Sequence, residues 1–264
     1  QDSLQMNLFD FGDIIEDMES LQQQEKYPDI PEWTDKEKQQ YEKEIIGFYM
    51  TSHPLEKWKH YLSMLTTPIQ NLNPKSRSAI LVAGMITSLR ETQIKQGKLQ
   101  GRKMISRATL DDGTSTCLFT CFPDMYEKNQ DTLVQDKIVF LLAHQDEKVE
   151  DSIQLIVDDV FSADEGIKKQ TETVTIQLQE TTTEQDLETL KSIITKHHGN
   201  CRTYLEFEIN GNPTKIHVSE QFYVNMAPNF LHDIEKNFGK TCLTLKNKPI
   251  ILPKKKWERK KKLV

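Results

Sequence analysis

The chain has 264 residues, 36% apolar and 28% charged, with a formal net charge of -6, enough for two domains that each bury a core. No apolar run approaches the roughly 18 residues of a membrane-spanning helix, so no membrane role is expected. No charged segment followed by an apolar stretch reads as a signal peptide, and a first residue of Gln rather than Met points to a piece of a longer chain.

The charge is polarised. Residues 1 to 33 hold nine acids against one base, Lys26, whereas "KKKWERKKK" at 254 to 262 holds seven bases against one acid. Within the acidic stretch, "QMNLFDF" at 5 to 11 stands out, because Met6, Leu8, Phe9 and Phe11 cluster where there is nothing to pack on. The surrounding composition, rich in acids and Gln with two prolines, reads as a linker. An apolar peptide in a linker has the chemistry of a ligand for another protein's groove: Leu and Phe fill a pocket while a Gln amide bonds at its rim.

At Thr34 the pattern changes. "TDKE" has the form of a capping box, and Tyr41, Ile45, Phe48 and Tyr49 fall on one face of the helix expected to follow through about Met50. Pro54 suits the first turn of a second helix, with Leu55, Trp58, Tyr61, Leu62 and Leu65 as its buried stripe. Residues 34 to 78 are therefore expected to form a helical segment, with a helical hairpin over 34 to 66.

From Ala79 the period becomes that of strands. "AILVAGMITSLRE" carries Gly84 part-way, as a strand does where it bends around a small barrel. "KMISRATLDD", "STCLFTCFP", a short helix at about 124 to 132, "DKIVFLLAHQ" and "SIQLIVDDVF" follow. Three strands, a helix and two strands is the order of an OB-fold, a five-stranded barrel, here over 79 to 162. A second alternation gives strand, helix, two strands, helix and strand, a small βαββαβ domain over 168 to 247, with a basic tail at 248 to 264. The fold class expected is mainly β with α+β.

Chemistry of an enzyme is not legible. Asp111-Asp112-Gly113 sits between two strands and is explained by turn chemistry, and Asp158 and Asp159 point to opposite faces of a strand. His53 precedes Pro54 at a helix start, and His197 and His198 end a helix where the dipole favours positive charge. Cys117 and Cys121, four residues apart on one strand, lie about 13 Å apart, too far for one metal ion. Neither a metal, a cofactor nor a catalytic residue is expected.

Binding features are better represented. Residues 90 to 107 carry Arg90, Lys95, Lys98, Arg102, Lys103 and Arg107 against Glu91 alone. In OB-folds the first loop and the face of strands 2 and 3 hold single-stranded nucleic acid, basic side chains following phosphates while aromatic rings stack on bases. Phe119 and Phe122 are the candidate rings, and since they lie on opposite faces at most one can stack. The alternatives are a solvated charged loop and core phenylalanines.

The motifs in order, "EKEIIGFYMTSHPLEKW", "ILVAGMITSLRETQIKQGK" and "ATLDDGTSTCLFTCFPDMYEK", resemble the region after the fingers of the bacterial replicative DNA polymerase III alpha subunit. Gly47, Phe48, Tyr49, His53, Pro54 and Leu55 match its helical signature. Ser115 stands where that family usually has Gly, and the first barrel loop is longer here than is common. The resemblance covers about residues 5 to 162. It implies that Gln5, Met6, Leu8 and Phe9, with Asn7 between, form a peptide that binds the sliding clamp, the beta subunit. It also implies that the last domain docks the tau subunit of the clamp loader, that the barrel holds single-stranded template DNA, and that the protein works in the bacterial cytoplasm at the replication fork. The parent is a nucleotidyltransferase, but its active-site aspartates lie upstream. The competing reading is an independent OB-fold RNA-binding module of the anticodon-binding type.

Overall fold

The computed structural model describes residues 32–47, 49–50, 53–93, 103–149, 151–209 and 212–250. The chain divides into two units, residues 1–53 and 54–264.

In the first unit, α1 spans Asp35–Ile46. Thr34 and Glu37 close the expected capping box, and Gly47, at φ 89°, ends the helix in the left-handed conformation with its N–H on the Lys43 carbonyl. Tyr41 and Ile45 are exposed on the helix surface, and the Tyr41 ring lies 4.7 Å from that of Trp33. Phe48 lies outside the described residues.

In the second unit, the helix expected from Pro54 is split into a 3-10 turn over Pro54–Lys57 and α2 over Lys59–Leu65. Leu55, Tyr61, Leu62 and Leu65 are buried as the spacing requires, while Trp58 is half-buried.

The barrel follows: β1 (Ile80–Gln93), β2 (Lys103–Asp111), β3 (Thr116–Cys121), α3 (Pro123–Lys128), β4 (Ile138–Gln145) and β5 (Gln154–Ser162). The strands close in the order β1-β2-β3-β5-β4, the OB-fold. β1 serves both neighbours by bending, pairing β4 over Ile80–Met85 and β2 over Met85–Gln93. Gly84 permits the bend, because a Cβ there would lie 2.3 Å from the Asp111 carbonyl oxygen. Val82, Ile86, Leu110, Phe119, Leu141 and Leu155 fill the interior.

A helix that the sequence pattern does not predict, α4 (Ala163–Gln170), joins the barrel to the second sheet. Its signal is present in "SADE": Ser162 caps the helix by accepting from the Glu165 N–H. Gly166 lets α4 sit on the barrel, since a Cβ there would strike the Phe140 ring.

The C-terminal domain contains β6 (Thr171–Leu178), α5 (Glu184–Lys196), β7 (His198–Ile209), β8 (Asn212–His217), α6 (Pro228–Phe238) and β9 (Leu243–Asn247), with the sheet ordered β8-β7-β6-β9. The βαββαβ order is as expected. β6 and β7 pair in parallel across α5, and the other pairs are antiparallel. Thr183 and Asp186 form a capping box at the start of α5.

Candidate nucleic-acid interface

Strand parity decides which side chains of β2 and β3 face outward. On β3, Cys117, Phe119 and Cys121 are buried, while Thr116 and Leu118 are exposed and Thr120 is half-buried. Phe119 is fully buried in the barrel core, which corrects its candidacy as a stacking ring: no face of it meets solvent. Phe122 is 46% exposed. Preceding Pro123, it stays extended at φ -73°, ψ 156°, so it continues the outward row of Leu118 and Thr120. The alternation of Leu118 with Phe119 is the signal that identifies Leu118, 38% exposed, as part of the same surface.

On the neighbouring strands, Arg90 of β1 stands directly opposite Arg107 of β2, and both are exposed. Two like charges in a cross-strand pair destabilise a sheet by a few tenths of a kcal/mol or more. Neither guanidinium has an ion-pair partner among the described residues. One step along, the Ser88 and Thr109 hydroxyls bond at 2.9 Å. The surface thus runs from two arginines through two hydroxyls to Leu118 and Phe122, a file of cationic and polar groups beside an apolar and an aromatic one.

Glu91, the acid within the basic stretch, has a structural task. It accepts a hydrogen bond from the Tyr126 hydroxyl of α3, and that bond, with burial, pushes the phenol up to about 12. Lys103 begins β2 opposite Gln93. Lys95, Lys98 and Arg102 lie outside the described residues, as do Gln5, Met6, Leu8 and Phe9 of the peptide expected to bind a clamp and the basic tail beyond Ile250.

The acidic pairs do not converge. Asp111 accepts from the Gly113 N–H at 2.8 Å. Burial raises the Asp112 carboxyl, but bonds from the N–H groups of Ile69, Thr114 and Ser115 and from the Thr114 hydroxyl outweigh it and hold it below the usual range. Asp112 therefore both closes the turn and ties the segment before β1 to the barrel. Asp158 holds His144 at 2.5 Å, whereas Asp159 accepts from the Val160 N–H. Cys117 and Cys121 are free thiols that burial pushes up to about 12. Among the described residues no cluster of three His, Cys, Asp or Glu could hold a metal ion, and no helix is long and apolar enough to cross a membrane.

No protein-family model matches the chain. Among curated proteins, it is 27% identical over 218 residues to the DNA polymerase III subunit alpha of Halalkalibacterium halodurans, covering 81% of this chain and 19% of that protein. The Aquifex aeolicus subunit is 31% identical over 137 residues, covering 51% and 11%. The Pasteurella multocida subunit is 23% identical over 240 residues, covering 89% and 20%. The chain thus spans about a fifth or less of the length of these relatives. Solved structures of RecG bound to a three-way DNA junction and of a replication protein A heterotrimer bound to ssDNA overlap 57% and 56% of it. They cover 21% and 36% of those chains, at 14% and 12% identity and TM-scores of 0.25 and 0.28. In sequence, the chain is a relative of DNA polymerase III alpha subunits, consistent with a C-terminal region of that protein.

Proposed function

We propose that this chain is the non-catalytic C-terminal portion of a replicative DNA polymerase alpha subunit, and that its barrel holds single-stranded template DNA. The observation that carries the reading is the Arg90–Arg107 pair on the open face of β1 and β2. A cross-strand arginine pair is unfavourable alone and becomes favourable when a phosphate sits between the two guanidiniums. Leu118 and Phe122 beside it offer an apolar seat for bases without hydrogen-bonding groups that would select a sequence. Recruitment of DNA replication partners completes the proposal. Gln5 to Phe9 tether the chain to the sliding clamp, and the C-terminal domain docks the tau subunit of the clamp loader. Tethering makes each return to the template an intramolecular event at high effective concentration, so modest barrel contacts suffice.

Oligo-dT binding followed by fluorescence anisotropy tests the barrel. Arg90→Glu with Arg107→Glu should weaken binding and reduce the salt slope by roughly one unit for each phosphate no longer neutralised; an unchanged slope returns both arginines to a solvated role. A strict requirement for the 2′-hydroxyl would instead favour the RNA-binding reading. For the tether, immobilised sliding clamp should retain the chain and lose its Leu8→Ala and Phe9→Ala variants.

A further inference from the structure

The C-terminal sheet has buried apolar residues on one face, where Val174 and Ile176 of β6 lie in register with Leu245 and Leu243 of β9, and Ile193, Phe230 and Ile234 of the helices are buried as well. The residues of alternate register make up the other face. There Thr173 of β6 lies between Lys246 of β9 and Arg202 of β7, and in the next row Thr175 lies between Thr244 and Tyr204, which pairs with His217 of β8. Arg202, Lys215, His217, Thr244 and Lys246 are exposed.

Three rings run in file across this surface. Tyr204 lies 4.9 Å from His217 at an interplanar angle of 33°, and His217 lies 5.7 Å from Tyr223 at 42°. The Tyr223 hydroxyl is 2.9 Å from His217 Nε2, which fixes the third ring against the second. The Lys215 ammonium sits 4.7 Å over the Tyr204 ring. From this arrangement we infer that the open face of the C-terminal sheet is a second single-stranded nucleic-acid surface, separate from the barrel, with Tyr204, His217 and Tyr223 stacking on bases and Arg202 and Lys215 following phosphates.

The make-up of the face favours nucleic acid over a protein partner. Its exposed side chains include the His217 ring, the Thr244 hydroxyl and the cations Arg202, Lys215 and Lys246, with Tyr204 and Tyr223 half-buried beside them and the acid Glu208 at the far end of the row, whereas the centre of a protein interface is poor in charge and rich in apolar groups. Glu206 faces Lys215 in register and Glu172 lies 3.9 Å from Lys246, while Glu208, further along the same row, faces Pro213 at the end away from Arg202. Arg202 has no ion-pair partner among the described residues. The Lys215 ammonium covers a face of Tyr204 only through an exposed cation–π contact, which is weaker than a base stacked on the same ring. Displacing it therefore favours the base, and the freed ammonium turns to the phosphate.

The test uses the full chain and fluorescein-labelled oligo-dT at low salt, with Arg90→Glu, Lys98→Glu, Arg102→Glu, Lys103→Glu and Arg107→Glu present to weaken the barrel contribution. Adding Tyr204→Ala and His217→Ala should lower the residual affinity about tenfold, as loss of stacked bases does, while Tyr204→Phe, which keeps the ring, should stay near the parent. The His217→Ala change alone, at an exposed position, should give a smaller loss in the same direction. Photo-cross-linking of a bromouracil-substituted oligonucleotide should label peptides containing Tyr204 or Tyr223. Unchanged affinity in the Tyr204→Ala, His217→Ala variant overturns the inference, even if that variant loses capture of a protein partner, and so does a Tyr204→Phe loss as large as that of Tyr204→Ala.

Discussion

The barrel closes on itself because β3 and β5 pair in parallel, whereas the C-terminal sheet keeps two open edges, β8 and β9. Unpaired edges invite pairing with other chains, and each is handled differently. On β9, α2 supplies side-chain partners to the backbone: His60 Nε2 lies 3.2 Å from the Leu243 carbonyl, and the Leu245 N–H meets Met64 Sδ at 3.2 Å. On β8, Pro213 and Lys215 blunt the strand, Pro by lacking a donor and Lys by charge. Closure leaves the barrel needing a bend; openness leaves the second sheet needing a cover. Residues 54 to 72 supply that cover and are also bound to the barrel, where Thr67 N–H bonds the Leu81 carbonyl and Ile69 N–H bonds Asp112.

The largest effect is expected at the bend. Gly84→Val places its Cβ against the Asp111 carbonyl, and since the Cβ is fixed by its own main chain and the carbonyl is main chain, neither can move aside without shifting a strand. A loss above about 4 kcal/mol, or failure to fold, is expected in urea unfolding. A loss under about 1 kcal/mol would show that the strand bends without glycine. β6 has no glycine at such a contact, and Val174 and Ile176 occupy its middle.

Next come the two cores. Phe119 in the barrel and Phe230 in the C-terminal domain are both fully buried, and alanine at either should cost about 3–5 kcal/mol. Because residues 54 to 72 bury Leu55, Tyr61, Leu62, Leu65 and Ile69, the two sheets are expected to unfold in one transition that either variant shifts. Two transitions, each moved by one variant alone, would show that the cover transmits nothing between them.

The cover itself can be probed at Tyr61. Its hydroxyl donates to Glu235 of α6, and burial together with that bond raises the phenol well above its ordinary range. Tyr61→Phe should cost about 1.5–3 kcal/mol, the range for hydrogen bonds to charged groups. An effect near zero in thermal or urea unfolding would assign the docking of α2 to apolar burial alone.

These contacts also mark where the sequence stops being informative. The barrel was legible because its signals are local: Gly84 at the bend, a helix between the third and fourth strands, and alternation within "STCLFTCF". The role of residues 54 to 72 was not, because helical spacing at Tyr61 and Leu65 reports a buried face without reporting what buries it, and the partners lie more than 170 residues away. α4 was legible in principle, through Ser162 and Glu165, but is too short to show a period. On the candidate barrel surface, the basic residues were legible as composition. The Arg90–Arg107 pairing was not, because register depends on bulges at Ile86/Ser88 and Arg90/Glu91 that no spacing rule supplies.

The smallest expected effect is an electrostatic tie within the C-terminal domain. Asp233 of α6 accepts bonds from Lys196 Nζ and His197 Nε2 at the end of α5, each at 2.8 Å. Those bonds, Lys196 first, hold its carboxyl at about 2 against an ordinary 3.8. A carboxyl depressed in the folded state binds its proton first in the unfolded chain, so the stabilisation is complete above the ordinary value and is lost as pH falls toward the folded one. Wild type should therefore exceed Asp233→Asn in urea midpoint at neutral pH by a modest, salt-sensitive margin, because the carboxylate is solvent-screened. The margin should close between about pH 4 and pH 2. If it persists at pH 2, the asparagine acts by disturbing the packing of α5 on α6, and the two helices are held by their apolar faces rather than by charge.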